Sequence, residues 1–256
     1  MDGAQLEQLF DLSGRVAIVT GGTRGIGRAI AEGFVCAGAN VVVASRKADA
    51  CAETERHLTK LGRDSLGVPT HLGDLDALRA LVATTVERFG RLDIVVNNAA
   101  NALTMPLGSI TPEAWAKSYD VNLRGPVFLV QEALPHLAES PAASVINVIS
   151  AGAFLFSANV SMYAGAKAAL MSFTRSMASA FGPQGIRVNA LAPGSVDTDM
   201  MRNNPPEAQA SMAAASVQGR MASADEMVGP ALFLASDASS FMTGQVLIVD
   251  GGLVPH

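Results

Sequence analysis

TGGTRGIG, Thr20 to Gly27, follows the β-branched run RVAIVT (15–20) and opens a stretch with helical spacing. Glycines between a strand and a helix let the chain turn sharply, approach a pyrophosphate and pack helix on strand. The free N–H groups of the helix start then face the phosphates. Gly21, Gly25 and Gly27 are the positions that matter, in the spacing G-x-x-x-G-x-G. A glycine motif alone also fits a tight turn without a ligand; the strand before it and the helix after it argue for the phosphate site.

The alternation continues along the chain. Further strands are expected at 40–45 (NVVVAS), 65–71, 92–97 (LDIVVN), 144–150 (SVINVIS), 186–191 and 245–250 (QVLIVD). Helices are expected near 26–38, 48–62, 75–89, 112–138, 162–181 and 224–235. Strands apolar almost throughout are buried on both faces, so the sheet is parallel and covered by helices. This predicts an α/β, single-domain, doubly wound fold over 1–256 with a seven-stranded parallel sheet. Its ligands are expected at the edge where the strands end. The segment 195–222 holds Pro205–Pro206 and several Met, and reads as a mobile substrate flap with short helices. Ser223 and Glu226 fit a capping box opening the next helix.

Bulk properties narrow the function. The chain has 256 residues, 49% hydrophobic and 16% charged, with net charge −5. There is ample core and no basic block, so neither nucleic acid nor an anionic membrane surface is an expected partner. Cys36 and Cys51 form no CxxC, and His57, His71, His136 and His256 show no ligand spacing, so no metal site is expected. No signal peptide and no stretch long enough to span a bilayer is read, which predicts a cytoplasmic protein.

Tyr163 and Lys167, in YAGAK, share a helix face one turn apart. Alone, they would be an ordinary solvated pair. With the glycine loop, NNAA (97–100), VNL (121–123), NVIS (147–150), RVNALAPG (187–194), Thr198 and FLASDASSFMTGQVLIVDGG (233–252), the chain resembles the short-chain dehydrogenases/reductases of about 250 residues. The likeness covers nearly the whole chain and implies a Rossmann fold and an NAD(P)(H)-dependent oxidoreductase interconverting a ketone and a secondary alcohol. It is similar to 3-oxoacyl-(acyl carrier protein) reductase-like members.

The resemblance implies Asn122, Ser150, Tyr163 and Lys167 as the catalytic set. Tyr163 would supply the proton to the developing alkoxide. A nearby ammonium would favour its phenolate and lower its pKa, and Lys167 would also bind the nicotinamide ribose. Ser150 would hydrogen-bond the carbonyl, and Asn122 would hold a water in a relay toward the lysine. Ser161 reads as helix-start chemistry and Ser157 as an unlikely substitute for Ser150. For the cofactor, the resemblance implies Gly21, Thr23, Arg24, Gly25, Ile26 and Gly27 in the loop, and Asn98 and Ala99 after the fourth strand. Pro193, Gly194, Val196 and Thr198 would lie beneath the nicotinamide. Asn97 would support the central sheet.

Cofactor choice is read at the end of the second strand, where an acid would bind the ribose 2′-hydroxyl and repel a 2′-phosphate. Here the chain reads Ala44-Ser45-Arg46-Lys47, with no acid until Asp49. Ser45, Arg46 and Arg24 suit a phosphate, so NADP(H) is favoured over NAD(H); Arg46 and Lys47 merely solvating a helix start is the plainer reading. Two positions depart from the family. His71 stands where an acid usually accepts from the adenine amine; it could accept, stack on the ring, or cap the strand end without contact, and the Leu72 N–H would remain available. Ala100 replaces a usual glycine, which limits φ if that turn is left-handed.

Around the substrate, 101–105, 151–156 and the flap offer Leu103, Met105, Phe154, Leu155, Phe156, Met200, Met201 and Met212. These suit a bulky apolar carbonyl compound (a 3-oxoacyl thioester, steroid, terpenoid or aromatic ketone), though each could equally serve a core or an interface. An NAD-dependent secondary-alcohol or sugar dehydrogenase is the alternative within the class. A catalytically silent cofactor-binding sensor or scaffold is the alternative outside it. A homotetramer is expected from the resemblance.

Overall fold

The computed structural model describes residues 2–254; His256 lies outside them. Helix α1 (Gly3–Gln8) precedes β1 (Val16–Thr20), α2 (Gly25–Cys36), β2 (Asn40–Ser45), α3 (Ala48–Lys60), β3 (Ser65–Pro69), α4 (Leu75–Phe89) and β4 (Ile94–Asn97). The second half runs α5 (Pro112–Tyr119), α6 (Gly125–Ala138), β5 (Ser144–Val148), α7 (Ser161–Phe181), β6 (Arg187–Pro193), α8 (Asp199–Arg202), α9 (Pro206–Ala214), α10 (Val228–Ala235) and β7 (Val246–Val249). The sheet order is β3-β2-β1-β4-β5-β6-β7 and every pairing is parallel. The order reverses between β1 and β4, which opens a crevice at the strands' carboxyl ends.

Successive side chains of a strand point to opposite faces, so apolar runs load both. Ala17, Val19, Val41 and Val43 pack with Ile30 and Phe34 of α2 and Leu234 of α10. Ile18, Val42, Val95 and Val145 pack on the other face with Leu78 and Leu81 of α4 and Leu129 of α6. Burying a side chain the size of Phe34 contributes roughly 1.5–3 kcal/mol.

Differences from the sequence reading are local. The exposed α1 was not expected; Asp2 and Gln5 close a capping box around its start. The helix expected over 112–138 is interrupted by a π-helical turn, Asp120–Arg124, in which the Gly125 N–H reaches the Asp120 carbonyl. Pro126 has no N–H to give the Asn122 carbonyl, the bond an uninterrupted α-helix needs there. β5 ends at Val148, so Ser150 stands past the strand and opens a 3₁₀ turn over Ala151–Phe154. The expected capping box is present: Ser223 N–H donates to Glu226 at 2.8 Å, starting a 3₁₀ turn that runs into α10. Two short helices, α8 and α9, occupy 195–222.

The sheet's opposite edge is pinned by Asp93, which is wholly buried. Its carboxylate accepts from Val16 N–H (2.8 Å), from Arg91 (2.7 and 2.8 Å) and from the Ser140 hydroxyl. Removing it leaves the β1 N–H and the guanidinium without their acceptor. Asp93→Ala is expected to cost about 3 kcal/mol in urea unfolding, while the folded fraction keeps its dinucleotide affinity because the crevice lies at the other end of the strands.

Candidate functional site

The loop after β1 is shaped by backbone that only glycine adopts without strain. Gly21 and Gly25 have φ of +65° and +53°. Gly27 is required by space instead: a Cβ there would stand 2.3 Å from Asn98 Nδ2 and 2.4 Å from the Gly21 carbonyl. The result is a backbone cradle at the start of α2, suited to a pyrophosphate. Thr20 ties this cradle to the next strand. Its hydroxyl donates to the Val96 carbonyl (3.1 Å) and accepts from the N–H groups of Asn98 (2.9 Å) and Ala99 (3.1 Å). The Asn98 carboxamide donates back to the Thr20 carbonyl at 2.8 Å. Asn98 and Ala99 thus act on the cradle's wall. Ala100 fits without strain, since no described residue but glycine has positive φ.

Thr198, after β6, comes against the cradle from the other side; a Cβ on Gly25 would lie 3.2 Å from its methyl. Its hydroxyl donates to the Val196 carbonyl at 3.3 Å, and Val196 is buried. Gly194 lies at the β6 end, its N–H on the Val249 carbonyl (3.0 Å). Ser45 ends β2 and Arg46 follows it, exposed to solvent.

His71 and Leu72 follow β3. The His71 Nδ1 accepts from the Gly73 N–H at 3.1 Å. In the neutral ring the proton is therefore on Nε2, which can donate but not accept. A ligand ring nitrogen suits this imidazole better than an amine does.

Tyr163 and Lys167 sit on α7, as their spacing requires. The Lys167 ammonium is buried beneath the tyrosine, 5.7 Å from its ring centre, and donates to the Val148 carbonyl at 2.7 Å. Burial holds its pKa down, from the usual 10.5 to about 7. The expected lowering of the Tyr163 pKa by this charge does not hold in the protein alone. Burial raises the phenol, and the group drawing it down is Ser150, through a hydrogen bond. The Ser150 hydroxyl also accepts from the Gly152 N–H at 3.0 Å. Ser161 starts α7 but does not cap it: its hydroxyl is buried without a partner among the described residues. Ser157 serves the backbone, accepting from Val160 N–H at 3.3 Å. Gly165, inside YAGAK, makes room for α5: a Cβ there would lie 3.0 Å from the Tyr119 hydroxyl.

Asn122 is buried on the π-helical turn, and its carboxamide is hydrogen-bonded to Asn101 and Ser118. It accepts from the Asn101 N–H (3.1 Å) and donates to the Asn101 carbonyl (2.8 Å) and side-chain oxygen (3.0 Å). Asn101 also donates to the Lys117 carbonyl at 3.0 Å. Sequence reasoning placed Asn101 only near the substrate. Asn97 supports the centre of the sheet, donating to Asn147 across the β4–β5 pair at 2.9 Å. Of the apolar residues expected around a substrate, Phe154 packs against the cluster of Ile149 and Leu170, whereas Phe156 is fully exposed.

Comparisons with known proteins agree with this geometry. Residues 21–254 match the family model described as enoyl-(acyl carrier protein) reductase. The chain is 36% identical over 249 residues to a probable galactose dehydrogenase of Rhizobium meliloti, covering 96% of this chain and 97% of that one. It is 38% identical over 251 residues to the rhamnolipids biosynthesis 3-oxoacyl-[acyl-carrier-protein] reductase of Pseudomonas aeruginosa, covering 95% and 97%. The crystal structure of a 3-oxoacyl (acyl-carrier-protein) reductase from Agrobacterium tumefaciens with NADP bound superposes with a TM-score of 0.90 at 35% identity, covering 96% and 97%. With a parallel sheet in this order, a glycine cradle at its switch point and a Ser–Tyr–Lys cluster beside it, the chain belongs to the short-chain dehydrogenase/reductase family and is an NAD(P)-dependent oxidoreductase.

Proposed function

We propose that the chain interconverts a ketone and a secondary alcohol with NADP(H), on a rather apolar substrate, with a 3-oxoacyl thioester as the best single candidate. The observation that carries the chemistry is Lys167: a wholly buried ammonium under a part-buried tyrosine whose pKa Ser150 draws down against burial. A binding module without chemistry has no need of so costly an arrangement. The cradle and its close-packed glycines fit a dinucleotide, which supplies or accepts the hydride when bound. The protein's own residues handle the oxygen and its proton. Ser150 orients the carbonyl, and the Tyr163 hydroxyl gives its proton to the forming alkoxide or takes it back. Lys167 lies close enough to stabilise the phenolate when it is charged, and burial strengthens that effect as it raises its cost.

The preference for NADP(H) is supported at β2. No acid follows Ala44 until Asp49, and neither Arg46 nor Lys47 belongs to an ion pair of the described residues. These cations are available to a 2′-phosphate. The relative from Agrobacterium tumefaciens holds NADP. The part-buried Leu103 and Met105 support an apolar substrate, with 195–222 as a substrate flap. A homotetramer in the cytoplasm is in keeping with fully exposed Phe241 and largely exposed Val217, and with no helix of the described residues being long and apolar enough to cross a membrane.

Tyr163→Phe is expected to lose turnover by at least ~100-fold and keep dinucleotide affinity, measured by absorbance at 340 nm and by fluorescence titration; retained turnover would refute the assignment. Arg46→Ala is expected to weaken NADPH about tenfold and leave NADH unchanged, the loss of one charge-assisted contact. Equal use of both dinucleotides by the native protein would sink the NADP(H) reading.

The buried lysine also predicts a pH dependence of stability. Its folded pKa is lowered, so the unfolded chain binds more protons between about 7 and 10.5. The cost is fully present below about 7 and diminishes as pH rises toward 10.5. Lys167→Met is expected to be inactive yet more stable than the native chain, the gap narrowing by roughly 2 kcal/mol between pH 7 and pH 9 in urea unfolding. A gap that stays constant or widens would show that the lysine is not desolvated in this way.

A further inference from the structure

Three arginines line a groove of about 300 Å³ between the start of α2 and the residues after β6. Two of them are held firmly. Arg28 bonds Glu32 at 2.9 Å, and Arg202 grips Asp197 through two contacts of 2.7 and 3.0 Å. The third, Arg24, is the one placed inside the phosphate cradle, and it is held loosely. Its guanidinium lies 3.5 Å from Asp199, the first residue of α8, without a hydrogen bond of standard geometry, and both side chains are more than half exposed. Asp199 therefore sits next to the one arginine of the groove that is free to change partner. The backbone makes this proximity durable, since Thr198 is packed on Gly25 one residue away from both.

We infer that Asp199 is a cofactor-discriminating residue: it holds Arg24, and a dinucleotide carrying a 2′-phosphate must draw Arg24 away from it. The inference rests on the NADP(H) reading given above. An exposed carboxylate makes a single, solvent-screened contact with the guanidinium. A phosphate carries more charge and three acceptor oxygens, and it would be shared with Arg46 at the end of β2. The phosphate wins this competition, but its affinity is reduced by the fraction of Arg24 that Asp199 retains. A dinucleotide with a free 2′-hydroxyl makes no claim on Arg24 and is indifferent to Asp199. The carboxylate on α8 thus narrows the preference that Arg46 and Arg24 create, and it links the occupancy of the phosphate site to the segment 195–222.

The test is direct binding of NADPH and NADH, by fluorescence titration at low and high salt, to four proteins: native, Asp199→Asn, Arg24→Gln and the double variant. Asp199→Asn is expected to tighten NADPH by roughly two- to fivefold, the range of an exposed ion pair, and to leave NADH unchanged. The gain should shrink at high salt and vanish in the Arg24→Gln background. A gain that persists without Arg24 would mean that Asp199 simply repels the phosphate, and would overturn the inference. So would equal changes for both dinucleotides, or no change. Failure of the underlying reading looks different: native protein would then bind NADH as tightly as NADPH, and Arg46→Ala would alter neither.

Discussion

The site depends on one hydroxyl. Thr20 ends β1 at the point where the sheet reverses its order, and three hydrogen bonds meet at its Oγ. Parallel strands β1 and β4 run together only as far as Val19 and Val96, and beyond that their backbones part to opposite sides of the crevice. Parting strands expose N–H and C=O groups that burial would otherwise penalise. Thr20 and Asn98 pair such groups in place of the ladder, while the neighbouring Asn97 Oδ1 stays buried without a partner among the described residues. The Asn98 amide occupies the space that forbids a side chain at Gly27, which ties the shape of the phosphate cradle to the neighbouring strand.

The Ser150–Tyr163–Lys167 cluster is built against the grain of stability. A lysine only 1% exposed loses nearly all its hydration, and among the described residues the Val148 carbonyl is the one acceptor that replaces it. The fold tolerates this because α7 is anchored elsewhere, through Leu170, Met177 and the Thr174 hydroxyl on Asn147. Desolvation pushes the phenol and the ammonium the same way, toward their neutral forms. Neutral Tyr163 is the form that can give a proton to a forming alkoxide. The phenolate is the form that takes a proton back, and Ser150 together with a charged Lys167 favours it.

Much of this was legible from residue order, because the physics that decides the sheet is local. Runs such as Val41–Val43 and Val95–Val96 can only be strands buried on two faces, and the observed strands fall on the expected runs. The position of Tyr163 relative to Lys167 follows from helical spacing alone. What could not be read depends on contacts between distant segments. The pairing of Asn122 with Asn101 crosses 21 residues, and nothing in VNL signals it. The tautomer of His71 is set by the Gly73 N–H, and the reach of Arg24 to Asp199 by the packing of Thr198 on Gly25. The π-helical turn did leave a trace. Pro126 stands four residues after Asn122, the spacing at which an α-helix requires an N–H that proline lacks. α1 carries few apolar residues to announce it and no buried one, and is held by its cap.

The committed carboxamide of Asn122 changes how substrate choice is to be understood under the proposed function. Residues 101–107 are bonded at one end to the π-helical turn through Asn101. Further along, Met105 N–H donates to the Asn159 carbonyl (2.8 Å) and Leu107 N–H to the Ala158 carbonyl (3.3 Å). The 157–160 loop leads directly into α7 and Tyr163. This segment is therefore a strap between the π-helical turn and the loop leading into α7. A substrate that displaced it would disturb Asn122 and the approach to Tyr163 together. Helices α8 and α9 of 195–222 bury no side chain, so if that segment meets the substrate under the proposed function, adaptation to its shape would cost less there. Under the proposed function the Met residues of that segment would repack with less effect on Tyr163 and Lys167, whereas changes in the strap would reach the chemistry as well as the fit.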